Sequence, residues 1–269
     1  MPIQSGLEVT FNTVAAAYDK YRPTYPDALY RDVFAYLDTP IGAQTRAVEI
    51  GIGTGQATRP ILDTGCAVTA IELGDAMAAF AAKKFAAYPG FSVVNLPFQA
   101  YECAENTCDL VFSASAFHWI DEETGYTKVF SMLRPGGVFA RFANHPYRDK
   151  GRPGLHEAMQ SVYAVYMPGS APGGEYSAQM AAERAAIAVK YGFCDIESRI
   201  YRRTRAFTAE EYIGLLGTYS DHIAIEESRR RRFFSELREV IASFGGITVY
   251  DTVDLQLARK PHTPRLSCR

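Results

Sequence analysis

The chain has 269 residues, 48% of them apolar, which is enough for one large domain or two small ones with a sizeable core. Its formal net charge of −2 excludes the strong positive excess of a nucleic-acid-binding protein. No apolar run approaches the ~18–20 residues of a membrane span, and residues 1–9 lack the charged-then-apolar pattern of a signal peptide. Cys66, Cys103, Cys108, Cys194 and Cys268 are scattered without a C-x-x-C pair, which predicts free thiols in a reducing cytoplasm. No His/Cys group has ligand spacing, so no metal site is predicted.

Residues 11–37 read as two helices around a turn. Phe11, Val14, Ala15 and Tyr18 form one face of the first. Pro23 and Pro26 end it and start the second. Thr24 with Asp27 has the spacing of a capping box. Leu29, Val33 and Leu37 give the second helix its apolar face. This aromatic-rich segment reads equally as a satellite core and as a lid over a ligand.

The run 47–50 is a buried strand that contains Glu49. Gly51, Gly53 and Gly55 follow, and a helix is predicted over 56–63. Glycine tolerates positive φ and lets a ligand approach the backbone. A helix start has free N–H groups to aim at it. The dinucleotide fingerprint G-x-G-x-x-G/A fails from either Gly51 or Gly53, because Gln56 and Thr58 stand at the third position. The pattern is E-x-G-x-G-x-G. By itself it is also compatible with a tight turn that binds nothing.

A second strand over 68–71 ends at Glu72, which lies 21 residues past Gly51. That is the spacing of an acid that binds ribose hydroxyls. A helix follows over 75–87, with Met77 in its first turn. Strands are predicted at 91–95, 109–113 and 138–142, a helix at 122–132 and a turn at 133–137. This alternation predicts an α/β fold with a doubly wound parallel sheet. Residues 143–190 carry no strand signal, and their prolines and aromatics read as an ordered helical insertion over a site. Then come a strand at 196–201, a helix from Thr208 to Leu216 with Glu211 at the capping-box position, and a helix over 226–244 stopped by Gly245 and Gly246. Arg229 to Arg232 spread around that last helix as a solvated face. The final strand covers 248–257, and the tail from Lys260 reads as disordered.

Together these residues resemble the class I S-adenosylmethionine (SAM) methyltransferases. The resemblance is nearest to small bacterial enzymes related to ubiquinone-biosynthesis and trans-aconitate methyltransferases. It rests on Ala17-Tyr18-Asp19, Tyr21-Arg22-Pro23, Tyr25-Pro26, Val48 to Gly55, Ala70-Ile71-Glu72, Asp109-Leu110-Val111, Ala116-Phe117-His118-Trp119 and Leu133 to Gly137. It implies a Rossmann-like seven-stranded sheet whose last strand is antiparallel and inserted between the fifth and sixth. One domain spans 1–269, with its core at about 40–142 and 191–260, a helical lid at 8–38 and an insertion at 143–190.

The resemblance also implies roles. Gly51, Gly53 and Gly55 let the backbone approach the methionine and ribose parts of SAM. Glu49 holds the ammonium group and Glu72 takes both ribose hydroxyls. Leu73 and Met77 flank the adenine, and Phe98 and Gln99 close its other side. Ser113 faces the cofactor, while Tyr18 and Arg22 cover its methionine end. Pro97 stands where relatives commonly have an acid, which leaves adenine recognition to the Phe98 backbone and Gln99.

Methyl transfer is an in-line displacement that needs alignment, desolvation and, for some acceptors, a base. His118, just past the fourth strand, is the candidate base, and the alternative is a histidine packed beside Trp119. Asn144-His145-Pro146-Tyr147 only loosely matches the N-P-P-Y motif of amine methyltransferases, and it follows the fifth strand instead of the fourth. The favoured function is methylation of a small-molecule acceptor, with S-adenosylhomocysteine as by-product and no metal. The alternatives are a methyltransferase acting on tRNA or protein, and a non-catalytic SAM- or metabolite-binding module. No nucleic-acid partner is expected, and a homodimer is left open.

Overall fold

β1 (Arg46–Ile50) and β4 (Cys108–Ala114) pair in parallel at the centre of a seven-stranded sheet. The computed structural model describes residues 14–170 and 173–262. Both central strands are covered on both faces, which is why they do not alternate in polarity. β2 (Ala67–Glu72) and β3 (Phe91–Asn95) continue the sheet in parallel, with Glu49 opposite Ala70 and Glu72 opposite Asn95. With β5 (Leu133–Arg148), β6 (Cys194–Phe207) and β7 (Ile247–Arg259) the order is β3-β2-β1-β4-β5-β7-β6. The Gly136 N–H bonds the Lys260 carbonyl and the Lys260 N–H bonds the Gly137 carbonyl. The start of β5 therefore meets the end of β7, and the last strand runs antiparallel between the fifth and sixth, as expected.

The helices are α1 (Ala15–Tyr21), α2 (Asp27–Tyr36), α3 (Arg59–Leu62), α4 (Asp75–Lys84), α5 (Glu122–Met132), α6 (Pro153–Tyr166), α7 (Ala178–Ala186), α8 (Ala209–Leu216), α9 (Ser220–Ile223) and α10 (Glu227–Ser243). The chain divides into two compact units. A sheet unit holds residues 24–143, 177–201 and the part from Val253 onward; a helical unit holds the chain up to Pro23, Asn144–Tyr176 and Arg202–Thr252.

In the sheet unit, alternate residues of each strand serve two cores. Ala47, Leu110, Phe112, Val138 and Phe142 pack with Leu29, Tyr30 and Val33 of α2. Val48, Ile50, Val111 and Phe139 pack with Tyr126, Val129 and Met132 of α5. In the helical unit, Leu155, Met159 and Val162 of α6 face Phe233, Leu237 and Ile241 of α10, two stripes at helical spacing. The α8 capping box is present, with Thr208 and Glu211 bonded reciprocally. Gly214 of α8 leaves room for the Tyr21 ring of α1, since a Cβ there would lie 2.5 Å from it. The arginine run of α10 is dispersed: Arg229 and Arg230 donate to the carbonyls of Val165 and Ile223, and Arg231 pairs with Glu227.

Several elements differ from expectation. Residues 53–58 are turns, and the helix after them is the four-residue α3. Pro26, not Thr24, caps α2, and it does so without a side-chain bond, because its fixed φ of −65° already sets the helix entry. β5 absorbs the predicted turn at 133–137 through a bulge at Gly136 (φ +79°), where the register shifts between Cys108 and Leu110. β6 runs from 194 to 207; its many charges mask it in the sequence and are tolerated because it is a sheet edge. Lys260, expected to begin a disordered tail, is instead tied to Gly136 and Gly137 as the sheet ends there; the readings for Phe11, for the leader at 1–9, for Cys268 and for the tail from 263 lie outside the described residues.

Candidate functional site

In the sheet unit the candidate residues gather where β1, β2 and β4 end. Glu49 is buried on β1, and its Oε2 accepts a bond from Thr58 Oγ1 at 2.7 Å. Burial pushes its carboxyl up to about 8, with Glu72 adding to the rise and Thr58 and Lys84 opposing it. The chain then passes Gly51, Gly53 and Gly55 at φ +71°, +57° and +82°, the left-handed region that favours glycine.

All three glycine N–H groups are used inside the protein. Gly51 donates to the Ile71 carbonyl at 2.8 Å and Gly55 to that of Ile52 at 2.9 Å. Gly53 donates to Glu72 Oε2 at 2.8 Å. The turn folds onto the end of β2, so these donors serve the scaffold. A Cβ at Gly51 would lie 2.4 Å from that of Ala116, and one at Gly55 would lie 2.2 Å from the fully buried Phe85 ring. Gly55→Ala therefore combines a left-handed alanine with overpacking, and is expected to lose about 2–4 kcal/mol of stability. Thermal unfolding reads this, and an unchanged melting temperature would contradict it.

Glu72 joins two turns. Its Oε2 holds Gly53 N–H and its Oε1 holds Gly74 N–H at 2.9 Å. Asn95 Nδ2, at the end of β3, donates to the carbonyls of Glu72 and Leu73 at 2.9 and 3.1 Å. Burial raises the Glu72 carboxyl, and the N–H groups of Gly74, Gly53 and Leu73 restrain the rise. Lys84, whose ammonium donates to the Thr54 carbonyl at 2.9 Å, is the cation that acts on Glu49.

The residues expected around a flat ring divide by exposure. Leu73 is 41% exposed, whereas Met77 is buried in the core side of α4. Phe98 is buried in a 3-10 turn, Phe98–Ala100, with the Lys128 ammonium 5.3 Å from its ring. Gln99 is exposed, and its carbonyl accepts from Lys128 at 2.8 Å.

Ser113 is buried and donates to the Ile50 carbonyl at 2.9 Å, pinning β4 to β1. Two residues on, Ser115 adopts φ +54° and donates its N–H to the Phe142 carbonyl. Its hydroxyl lies 2.9 Å from that of Tyr25, whose ring meets Phe142 edge-on at 4.8 Å. Sequence reasoning missed Ser115, since nothing in its neighbours encodes a left-handed serine. His118 is exposed on a 3-10 turn, Phe117–Trp119, with its ring 5.0 Å from that of Trp119.

Tyr18 and Arg22 belong to the helical unit. Arg22 donates through Nε and Nη2 to the hydroxyl and carbonyl of Thr218 at 2.9 and 2.7 Å. Its guanidinium lies 4.2 Å from the Tyr219 ring and 4.9 Å from that of Tyr18, and it forms no ion pair among the described residues.

A rigid glycine turn that ends in two desolvated carboxylates suits a cationic ligand with hydroxyl groups. Comparison with known proteins gives the chain a family. Residues 48–140 match the methyltransferase domain family. An uncharacterised methyltransferase of Geobacillus kaustophilus is 32% identical over 149 residues, covering 52% of this chain and 67% of that protein. The chain belongs to the class I SAM-dependent methyltransferases. A probable S-adenosylmethionine-dependent methyltransferase of Saccharomyces cerevisiae is 30% identical over 151 residues, covering 52% of this chain and 48% of that one; the chain thus spans about half of this yeast relative. The fold matches a putative type II methyltransferase of Anaeromyxobacter dehalogenans with TM-score 0.65 at 20% identity, covering 90% of this chain and all of that one. The candidates from Glu49 to His118 fall inside the matched methyltransferase region, and Tyr18 and Arg22 fall outside it. Among the described residues no helix is long and apolar enough to cross a membrane. None of their His, Cys, Asp and Glu side chains cluster in threes as a metal site would require.

Proposed function

We propose that this methyltransferase transfers the SAM methyl group to a small-molecule acceptor, with the cofactor held at the glycine turn. The observation that carries the reading is Glu72, fixed by two backbone N–H groups at the end of β2. A carboxylate has about four acceptor sites, so acceptor capacity remains for a ribose hydroxyl beside these backbone bonds. The charge also fits: SAM is positive at sulfur and at its ammonium group, and Glu49 and Glu72 are carboxylates that burial disfavours as anions.

Around them, Leu73 offers apolar surface to the adenine, with Met77 beneath it and Phe98 and Gln99 on the other side. Gly51, Gly53 and Gly55 shape the turn, and Ser113 fixes the strand end under it. Arg22, with Tyr18 against it, presents a guanidinium suited to the methionine carboxylate. When bound, SAM supplies a methyl group on an already activated leaving group. The chain's own residues need only align the acceptor and take its proton, and we assign the latter to His118. The near-neutral net charge supports a small acceptor over a nucleic acid, with the reaction placed in the cytoplasm.

Calorimetry should show SAM or S-adenosylhomocysteine binding and no NAD binding; tight NAD binding without SAM would overturn the assignment. His118→Ala should keep SAM affinity and lower turnover at least about 10²-fold. A variant that turns over like the wild type would make His118 a wall of the site and not its base.

A further inference from the structure

Two thiols meet in the sheet unit, in the connection from β3 to β4. The chain leaves the Phe98–Ala100 turn, passes Cys103 and enters β4 at Cys108. The two sulfurs stand 3.8 Å apart, and both thiols are free. The backbone between them reverses at Asn106, φ +60°, a conformation that asparagine tolerates better than most residues. The fold holds this reversal in place. Asn106 and Thr107 donate their N–H groups to the Ser131 and Met132 carbonyls of α5 at 2.9 and 3.0 Å. The Thr107 hydroxyl donates to the Ala104 carbonyl at 2.8 Å and lies 3.6 and 3.9 Å from the two sulfurs.

The surroundings of the two thiols differ. Cys103 is half-buried on the loop, whereas Cys108 is 4% exposed under α5. Burial pushes the Cys108 thiol up to about 12, with Cys103 and Asp109 adding to the rise and Thr107 opposing it. The Lys128 ammonium, bonded to the Gln99 carbonyl, stands close enough to Cys103 and Glu102 for both to favour its charge. A cation beside a thiol favours the thiolate, which is the nucleophile. Cys103 is therefore the thiol equipped to react first, and Cys108 the one placed to resolve it.

We propose that Cys103 and Cys108 form a reversible redox site, in which a peroxide oxidises Cys103 and Cys108 then closes a disulfide with it. The Cys103 thiolate attacks one peroxide oxygen. The O–O bond breaks, and the other oxygen leaves as hydroxide and takes up the thiol proton as water. The Cys108 sulfur displaces the hydroxyl now on Cys103, and its own proton leaves with that hydroxyl as a second water. The two thiols lose two electrons and the peroxide gains them. The sulfurs must close from 3.8 Å to a bond of about 2.05 Å, which the shared turn favours. In a reducing compartment the pair rests as thiols, and thiol exchange reopens the disulfide.

The test treats the dilute full chain with hydrogen peroxide, then unfolds it, blocks the remaining thiols with iodoacetamide and cuts it after glutamate. Cleavage at Glu105 separates the two cysteines, so a disulfide appears as a linked pair of peptides in the mass spectrum. The link should form within one molecule, reopen with dithiothreitol and leave the buried Cys66 alkylated. Cys103→Ser should keep Cys108 reduced at the same peroxide dose. Cys108→Ser should stop at a Cys103 sulfenic acid that dimedone traps, and Cys108→Ala replaces it if the serine is not tolerated in the core. A wild type whose Cys103 passes to sulfinic acid without a link would overturn the proposal. So would a wild type that stays fully reduced, a link found only between molecules, or Cys108 oxidised as readily in Cys103→Ser.

Discussion

Glu49→Gln is expected to stabilise the ligand-free protein at alkaline pH while weakening its grip on SAM. The folded-state value of Glu49 is raised by burial from 4.5 to about 8. Between those values the folded protein keeps a proton that the unfolded chain has released. Stability therefore falls as pH rises through this window, by on the order of 1 kcal/mol per pH unit for this group. Glutamine carries no proton to lose, and its carbonyl still accepts the Thr58 hydroxyl. The variant should match the wild type near pH 5 and surpass it by several kcal/mol above about pH 8. Melting curves across that range read the effect, and parallel pH profiles for the two proteins would refute it.

The same group should make SAM binding pH-dependent. A cationic ligand favours the ionised carboxylate, so wild-type affinity should rise as pH approaches 8, with a proton released on binding. Glu49→Gln should lose this dependence and bind about 10–100-fold more weakly, the contribution of one charge-assisted bond. Equal affinity at every pH would remove Glu49 from the cofactor site.

The second large effect is at Glu72. Glu72→Gln offers one acceptor oxygen to two ribose hydroxyls and should lose about 10–150-fold in SAM affinity. From the sequence alone the strand end looks open, and little change in stability is expected. The structure changes that expectation. Both carboxylate oxygens already hold backbone N–H groups, of Gly53 and Gly74. A glutamine must turn its NH2 toward one of them, leaving donor against donor in a largely buried place. That should cost about 1–3 kcal/mol of stability as well. Calorimetry below the variant's melting temperature separates the two losses. Wild-type affinity in folded Glu72→Gln would dismiss the ribose assignment and with it the register of the turn.

Much of the framework is legible in the sequence because it follows from local patterns. The apolar run before Gly51 becomes the buried strand β1, and the Thr208–Glu211 spacing becomes a formed capping box. The 21-residue interval from Gly51 to Glu72 is one βαβ step. It brings the acid to the glycine turn because parallel neighbours end at the same edge of the sheet. The spacing of Glu49, the glycines and Glu72 thus determines by itself that the turn and the acid meet at one edge of the sheet.

Only the tertiary structure decided how those groups are used. The N–H groups of Gly51, Gly53 and Gly55 find acceptors on β2 and within the turn, which no local rule specifies. The Glu49 carboxyl rises because strands and α3-side residues that are distant in sequence bury it. Ser115 meets Tyr25 across 90 positions of sequence. Arg203, Arg205 and Asn144 meet on Asp251 although 48, 46 and 107 positions separate them from it. Strand and helix periodicity is set by neighbours in the chain, whereas burial and hydrogen-bond partnership are set by whichever segments the fold brings together.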